Sequence, residues 1–498
     1  MKFYKVDSAL KEAIISGDKA VKIRIKIDSG AGYYHSVFEQ DIIEANFFGL
    51  KEAAGGTTSR GELLLDNPQG VYSFSDVGAG AQVKISLSLG EGLSYFERFV
   101  FYINDKGVQD IRGSGRKRYV YIVLRDLSAR LRKTDEARDW TSPAVFTYSV
   151  VCDKTQADKS LLHGIAQRAG LAASDIDCST IPVTLPYVRL RRNIWAELSS
   201  LAIAYRCHLE CAPEKALVFA HSPYQTEPLS DNEYSYTFSG EGIFYLRKTA
   251  RADFYRNTVR LKVNMPVSLD KQEIWRYDDP PVFYDDELRA FYPFRHPIVR
   301  DIENGNYEAR YRVIESGGRE RNVVFADEQD SLDEAENRLE FSGGGFSYSN
   351  YDVTSNHDKA ALTLQKEADG DLYKAVIYGR PIVLDLNRSC FLRDVEGVNN
   401  FGTVALNVTG SYFSEYEIDG CPQYEDWVIR ELAERIQKNR EFTVKTHRAL
   451  FNARVGAKVK INTKNEKLAG TVNAFSFRYK RDTAFVASFR ITENREVK

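Results

Sequence analysis

The sequence predicts a mainly β protein with α+β insertions, and three observations lead there. Val21-Lys-Ile-Arg-Ile-Lys-Ile27 and Val83-Lys-Ile-Ser-Leu-Ser-Leu89 alternate apolar and polar residues without error. A period of two sends one face to a core and the other to solvent. The aromatic complement is 29 Tyr and 28 Phe against 4 Trp, side chains that suit a half-buried pleated surface. Turn chemistry recurs between the apolar runs, at Gly30 to Gly32, at Asn67-Pro68 and at Gly78-Ala-Gly80, as strands joined by short connections require.

Taken in order, residues 1–138 read as an all-β barrel or sandwich. Its strands include Val21–Ile27, the run Glu62-Leu-Leu-Leu-Asp66, Val83–Leu89, Phe99–Ile103 ending at an Asn-Asp-Lys-Gly turn, and Tyr119–Leu124. Gly113-Ser-Gly115 reads as a hairpin turn, and Asp126–Leu131 as a short helical exit. Residues 139–238 change character to a small α+β module. A helix is expected over Asp158–Ala169, with Leu161, Leu162, Ile165 and Ala166 on one face and Gly170 at its C-cap. A second helix over Arg192–Tyr205 carries Ile194, Trp195, Leu198 and Leu201, and a hairpin follows around a Pro-Glu-Lys turn.

Strands return at Tyr234–Phe238 and Asn257–Val263. The stretch 265–439 reads as an inserted β-rich region, with strands at Arg310–Ile314 and Leu372–Tyr378, a glycine loop at Gly343 to Gly345, and a closing helix over Pro422–Asn439. Strands resume at Lys458–Ile461, Thr471–Phe477 and Ala484–Ile491. No fixed-period repeat runs along the chain.

Composition narrows the function classes. A chain of 498 residues exceeds what one core organises, so two to four domains are expected. The net charge of −2 argues against a dedicated nucleic-acid binder. Uncharged windows fall short of the roughly 18 residues of a membrane span, and Asp7, Lys11 and Glu12 interrupt any signal-peptide core; the chain is expected to be made in the cytoplasm.

Six cysteines are scattered, and Cys207-His208-x-x-Cys211 is their one local cluster. With no fourth ligand at zinc spacing it reads as strand packing, and the thiols as free. The acidic group Asp278, Asp279, Asp285, Asp286 and Glu287 lacks the ligand spacing of a calcium loop and reads as a solvated segment. Gly113-Ser-Gly115 lacks the following helix of a phosphate cradle. No HExxH, nucleophile elbow or P-loop is present. No enzyme activity, cofactor or metal is therefore expected.

The order of modules resembles the baseplate hub and tail-hub proteins of phages, contractile injection systems and gene-transfer agents. The likeness runs through Leu63-Leu-Leu-Asp-Asn-Pro-Gln-Gly70, Gly80-Ala-Gln-Val-Lys-Ile85 and Arg118-Tyr-Val-Tyr-Ile-Val-Leu-Arg-Asp-Leu127. It continues through Leu161 to Leu171, Asn193-Ile-Trp-Ala-Glu-Leu198, Phe254-Tyr-Arg-Asn-Thr-Val-Arg-Leu261, Val455-Gly-Ala-Lys-Val-Lys-Ile461 and Gly470-Thr-Val-Asn-Ala-Phe475. The resemblance implies two tube-type β-barrels, the second discontinuous over 239–264 and 440–498. It further implies a homotrimeric ring that adapts a six-fold tail tube to a three-fold spike or fibre. Partners would be the tube or a distal tail protein, the spike or fibre, and the tape-measure protein, with DNA passing through the lumen unbound.

The basic residues Lys22, Arg24, Lys26, Arg112, Arg116, Lys117 and Arg118 are candidates for a partner-facing surface. Two other classes remain open on sequence. A receptor- or carbohydrate-binding tail protein would use the aromatics Tyr277, Phe283, Tyr284, Phe291, Tyr292 and Phe294, and a hub-associated cell-wall hydrolase would need two facing carboxylates.

Overall fold

The computed structural model describes residues 3–16, 20–28, 34–52, 56–67, 70, 72, 80–90, 92–112, 118–134, 145–190, 192–221, 234–250, 255–263, 265–268, 272–277, 287–293, 309–315, 319–325, 338–344, 348–355, 359–366, 371–379, 382–385, 389–410, 412–413, 424–436, 440–463 and 467–493. The fold is mainly β. Its largest element is one continuous sheet in which eleven strands follow one another as neighbours. The strands of the N-terminal half lie in the order Ile42–Lys51, Gly56–Asp66, Arg118–Arg125, Phe96–Arg112, Gln82–Leu89, Val21–Asp28 and Tyr34–Val37. Those of the C-terminal half lie in the order Tyr245–Ala250, Arg440–Thr446, Val486–Glu493 and Lys467–Lys480.

The halves are stitched where Ile42–Lys51 pairs antiparallel with Lys467–Lys480, in a register that sets Phe47 opposite Phe477 and Gly49 opposite Phe475. Five strands lie off the path; of these, Lys458–Asn462 pairs with Lys467–Lys480 and, on its other side, runs parallel to Tyr236–Ser239. The alternation in the sequence explains the packing. Along Val21–Asp28, Val21, Ile23, Ile25 and Ile27 are buried, while Arg24 and Lys26 are exposed.

One core serves both halves. Phe47 and Phe99 from the first half lie 5.1 Å apart, and Phe475 and Phe477 from the second 4.8 Å apart. Phe99 bridges them at 6.1 Å from Phe475 and 6.4 Å from Phe477. Buried apolar area is the main favourable term in folding, so these shared rings join the halves energetically as well as topologically.

A second core lies in the α+β module. The helix Leu161–Gln167, capped by the Ser160 side chain, and the helix Ile194–Ala204, capped by Asn193, pack Leu162, Ile165, Trp195 and Leu198 inward. The hairpin Cys207–Glu210/Leu217–His221 forms as expected and joins the large sheet, because Cys207–Glu210 runs parallel to Gly56–Asp66.

Several expectations change. Thr258–Val263 pairs with Ser389–Arg393 and Ala405–Gly410 in a separate three-stranded sheet, and its Val259, Leu261 and Val263 belong to the module's core. The late helix, Tyr424–Ile436, contributes Trp427, Val428 and Leu432 to that same core. The Asn104-Asp-Lys-Gly107 turn is absent: the strand runs unbroken over Phe96–Arg112 and absorbs these residues as a shift of register between Ile103 and Val108. Gly107 permits it, since a Cβ there would meet the Val123 carbonyl at 2.7 Å. Gly343 and Gly344 are strand residues paired with Leu372 and Asp371, not a loop.

A nine-residue helix, Ser8–Ser16, opens the described chain and buries Leu10, Ala13 and Ile14. No helix among the described residues is long and apolar enough to cross a membrane.

Candidate functional site: an open sheet and a buried charged junction

Two features have the form of assembly elements. The first is the pair of sheet ends. Among the described residues, Tyr34–Val37 pairs only with Val21–Asp28, and Tyr245–Ala250 only with Arg440–Thr446. A terminal strand presents backbone N–H and C=O groups that template a further strand. Large apolar side chains are exposed beside both ends: Phe38 is 60% exposed next to Val37, and Phe244 is 51% exposed next to Tyr245, itself 39% exposed. Phe244 stacks on His447 with ring centroids 4.3 Å apart.

The predicted basic residues divide. Lys22, Arg24 and Lys26 lie on the outward face of their strand, opposite Ser88, Ser86 and Lys84, and the Arg24 guanidinium covers the Tyr95 ring at 3.9 Å. Arg112 faces Arg118 across a strand pair, and both are exposed. That pair lies beyond the Phe96–Tyr102 stretch that pairs with Gln82–Leu89, so the two basic groups occupy different parts of the sheet. Arg116 and Lys117 lie outside the described residues. So do Asp278, Asp279, Asp285 and Asp286 of the acidic group, and Phe283, Tyr284 and Phe294 of the aromatic group.

The second feature is a buried charged junction that sequence reasoning missed. Arg98 is 3% exposed. It reaches the core through a β-bulge: Ile85 pairs with Phe99 and Ser86 with Glu97, leaving Arg98 as the extra residue. A bulge breaks the in-and-out alternation, so Arg98 and Phe99 both turn inward. The guanidinium donates from Nε to the Phe451 carbonyl at 2.7 Å and from Nη2 to the Ala453 carbonyl at 2.8 Å. It also covers the Tyr4 and Phe99 rings at 4.5 and 4.3 Å.

Beside it, the Tyr4 hydroxyl donates to Glu210 at 2.7 Å, His208 Nε2 lies 2.7 Å from the other Glu210 oxygen, and Arg454 pairs with the same carboxylate. Tyr4 N–H also donates to the Asn452 carbonyl at 2.9 Å. The cluster thus ties the N-terminal segment, the first half of the sheet, the module and the second half at one point.

Its electrostatics are self-consistent. Burial opposes ionisation of Glu210, yet His208 and Arg454 outweigh it and hold the carboxyl down at about 2. Burial lowers the pKa of His208 against the pull of Glu210, and burial followed by the Glu210 charge raises the Tyr4 phenol well above its ordinary value. At neutral pH the arrangement is a carboxylate paired with Arg454 and hydrogen-bonded by neutral partners. Buried hydrogen-bonded networks of this kind rigidify what they join, although Arg454 Nε has no hydrogen-bond partner among the described residues.

The strand Cys207–Glu210 settles the local Cys/His cluster. Alternation sends Cys207 and Leu209 into the module's core and His208 and Glu210 to the junction, so Cys207 and His208 do not share a face. Cys211 is pushed up in pKa by burial and the Asp126 charge. The one sequence signal for the junction is the break of alternation at Glu97-Arg98; its partners are hundreds of residues away.

No family model matches the chain, and no curated protein matches it. Solved structures do. The 43 kDa tail protein of prophage MuSo2 from Shewanella oneidensis is similar over 95% of this chain and 98% of its own, at 10% identity and a TM-score of 0.48. The tail protein from Neisseria meningitidis MC58 is similar over 95% of this chain and 97% of its own, at 10% identity and a TM-score of 0.46. A component of the Escherichia coli type VI secretion system, described as structurally similar to bacteriophage T4 tail proteins gp27 and gp5, is similar over 95% and 77%, at 9% identity and a TM-score of 0.40.

Proposed function

We propose that this chain is a structural hub subunit of a phage tail or tail-like particle, working as a homotrimeric ring rather than as an enzyme. The observation that carries the reading is the open sheet: two strand-built halves fused edge to edge, with a terminal strand that, among the described residues, is paired on one side only, and exposed aromatics at each end. The two ends are different surfaces, so contact between them is heterologous, and a heterologous contact that closes gives a ring. Three copies supply six half-sheets around one axis, which suits the passage from a six-fold tube to a three-fold spike or fibre.

In this reading the partners are the tail tube or distal tail protein, the spike or fibre, and the tape-measure protein. DNA passes through the lumen without specific contact, and the Lys22, Arg24 and Lys26 face is a partner surface. The protein is assembled in the host cytoplasm and resides in the virion tail. The buried junction keeps the two halves in the fixed relation a ring requires.

Light scattering of the purified full chain tests this, together with particle images. The expected result is three times the 56.6 kDa chain mass and three-fold symmetry. Phe38→Asp and Phe244→Asp are each expected to shift the assembly to monomer with the β-rich circular dichroism unchanged. A wild-type chain that stays monomeric at high concentration overturns the reading.

A further inference from the structure

The module's core holds a set of side chains that spacing along the sequence conceals. Cys152 ends the strand Val145–Cys152, His163 stands in the first turn of the helix Leu161–Gln167, and Cys178 ends the short strand Ile176–Cys178. The three are 0%, 7% and 7% exposed, and one ligand atom from each lies within 4.8 Å of the other two. No two of them stand within the two-to-four-residue separation of a zinc knuckle, so the sequence shows only scattered cysteines.

We propose that Cys152, His163 and Cys178 form a structural site for one soft divalent cation, Zn2+ by preference, that staples the module together. The donor set is the argument. Two sulfurs and an imidazole are the ligands zinc selects, and Zn–S bonds of about 2.3 Å place tetrahedral ligands roughly 3.5–4 Å apart. The atoms here need only a small inward movement to reach that spacing. The imidazole is also held: Ser160, which caps the helix, sets its hydroxyl 2.7 Å from His163 Nδ1. A hydrogen-bonded outer partner of this kind orients a metal-bound histidine.

The three ligands come from two strands and a helix, so one ion would fix all three. Three protein ligands leave one tetrahedral position for water or a fourth group. The site shares no residue with the sheet ends or the charged junction, and it holds whether or not the chain forms a ring.

The test uses the full chain, purified reduced from zinc-supplemented medium, with metal content and native mass measured together. The expected result is one equivalent of zinc per chain, a fall in Tm on chelation that zinc restores, and visible thiolate–cobalt absorption after Co2+ exchange. Cys178→Ser is expected to lose zinc at least tenfold while Cys211→Ser keeps it, and Ser160→Ala to weaken zinc binding about tenfold. Because Cys178→Ser can unfold the module, thiol counting on the wild-type chain supplies an independent arm. A metal-free wild type with all thiols reactive on denaturation overturns the proposal. So does a metal-free wild type whose Cys152 and Cys178 have joined as a disulfide.

Discussion

The two halves of the large sheet reach the same kind of structure by different routes. The first half is built from strands that all lie between Val21 and Arg125, several of them joined as sequence-adjacent pairs: Ile42–Lys51 with Gly56–Asp66, Gln82–Leu89 with Phe96–Arg112, and Phe96–Arg112 with Arg118–Arg125. The second half draws Tyr236–Ser239 and Tyr245–Ala250 from before the long insertion and pairs them with Lys458–Asn462 and Arg440–Thr446 from after it. Non-local pairing must meet loop-closure entropy before its contacts form. The second half therefore depends more on what clamps it in place, and the buried junction is that clamp: Arg98 and Tyr4 hold the carbonyls of Phe451, Asn452 and Ala453, and Glu210 holds Arg454.

The largest expected effect follows from removing the anion at the clamp's centre. Glu210→Ala leaves Arg454 and the Tyr4 hydroxyl without their buried acceptor, a change expected to cost about 3–5 kcal/mol. Hydrogen exchange is the informative measurement. Amides of Arg440–Thr446 and Tyr245–Ala250 are expected to lose more protection than those of Gln82–Leu89. Equal loss in both halves breaks the asymmetry argued above.

Acid acts on the same clamp more gradually. Glu210 has its folded pKa depressed to about 2 from an ordinary 4.5. Its contribution is present above 4.5 and is lost as pH falls toward 2. His208, also lowered, from 6.5, adds a loss that begins below 6.5, because the buried ring resists protonation. Asp126 has the opposite sign: burial raises it to about 6 from 3.8, so its contribution is present below 3.8 and is lost as pH rises through 6. Urea midpoints are expected to decline below pH 3.8, where Asp126 no longer offsets the loss at Glu210, with Glu210→Gln flattening that part of the curve. An unchanged slope in that variant assigns the acid sensitivity elsewhere.

The same asymmetry decides what the sequence discloses. Val21–Ile27 and Val83–Leu89 were legible because each alternates locally and the pairing it implies is close by. The helix Ser8–Ser16 was missed, although Asp7 accepts from the Leu10 N–H at 2.7 Å as an N-cap does; its apolar stripe is only one turn long. Thr258–Val263 looks like any half-buried strand, and nothing in its pattern says that its partners are Ser389–Arg393 and Ala405–Gly410 rather than the final strands. The sites were the least legible. Arg98 acquires its role from one extra residue in a strand, and Cys152, His163 and Cys178 converge only once the module has folded. Period and turn chemistry report local geometry; both sites are products of long-range register.

The smallest expected effect sharpens the seam between the halves. Gly49 faces Phe475 across the join, and a methyl group on Gly49 would overlap the Phe475 ring. That ring has little room to yield, because it stacks on Phe477 at 4.8 Å and lies beneath the Arg98 guanidinium at 4.9 Å. Gly49→Ala removes backbone freedom from the unfolded chain, which favours folding by about 0.4–1 kcal/mol, but overpacking opposes it with about 1–3 kcal/mol. The net expectation is a destabilisation of about 1 kcal/mol. Phe475→Leu removes the obstructing ring at its own cost in lost packing, so the double variant is expected to be less destabilised than the sum of the two single changes. Urea denaturation of the four proteins measures the coupling. Additive effects mean that the ring moves aside freely, and then the seam is held by its backbone pairing rather than by the interlocked aromatic core.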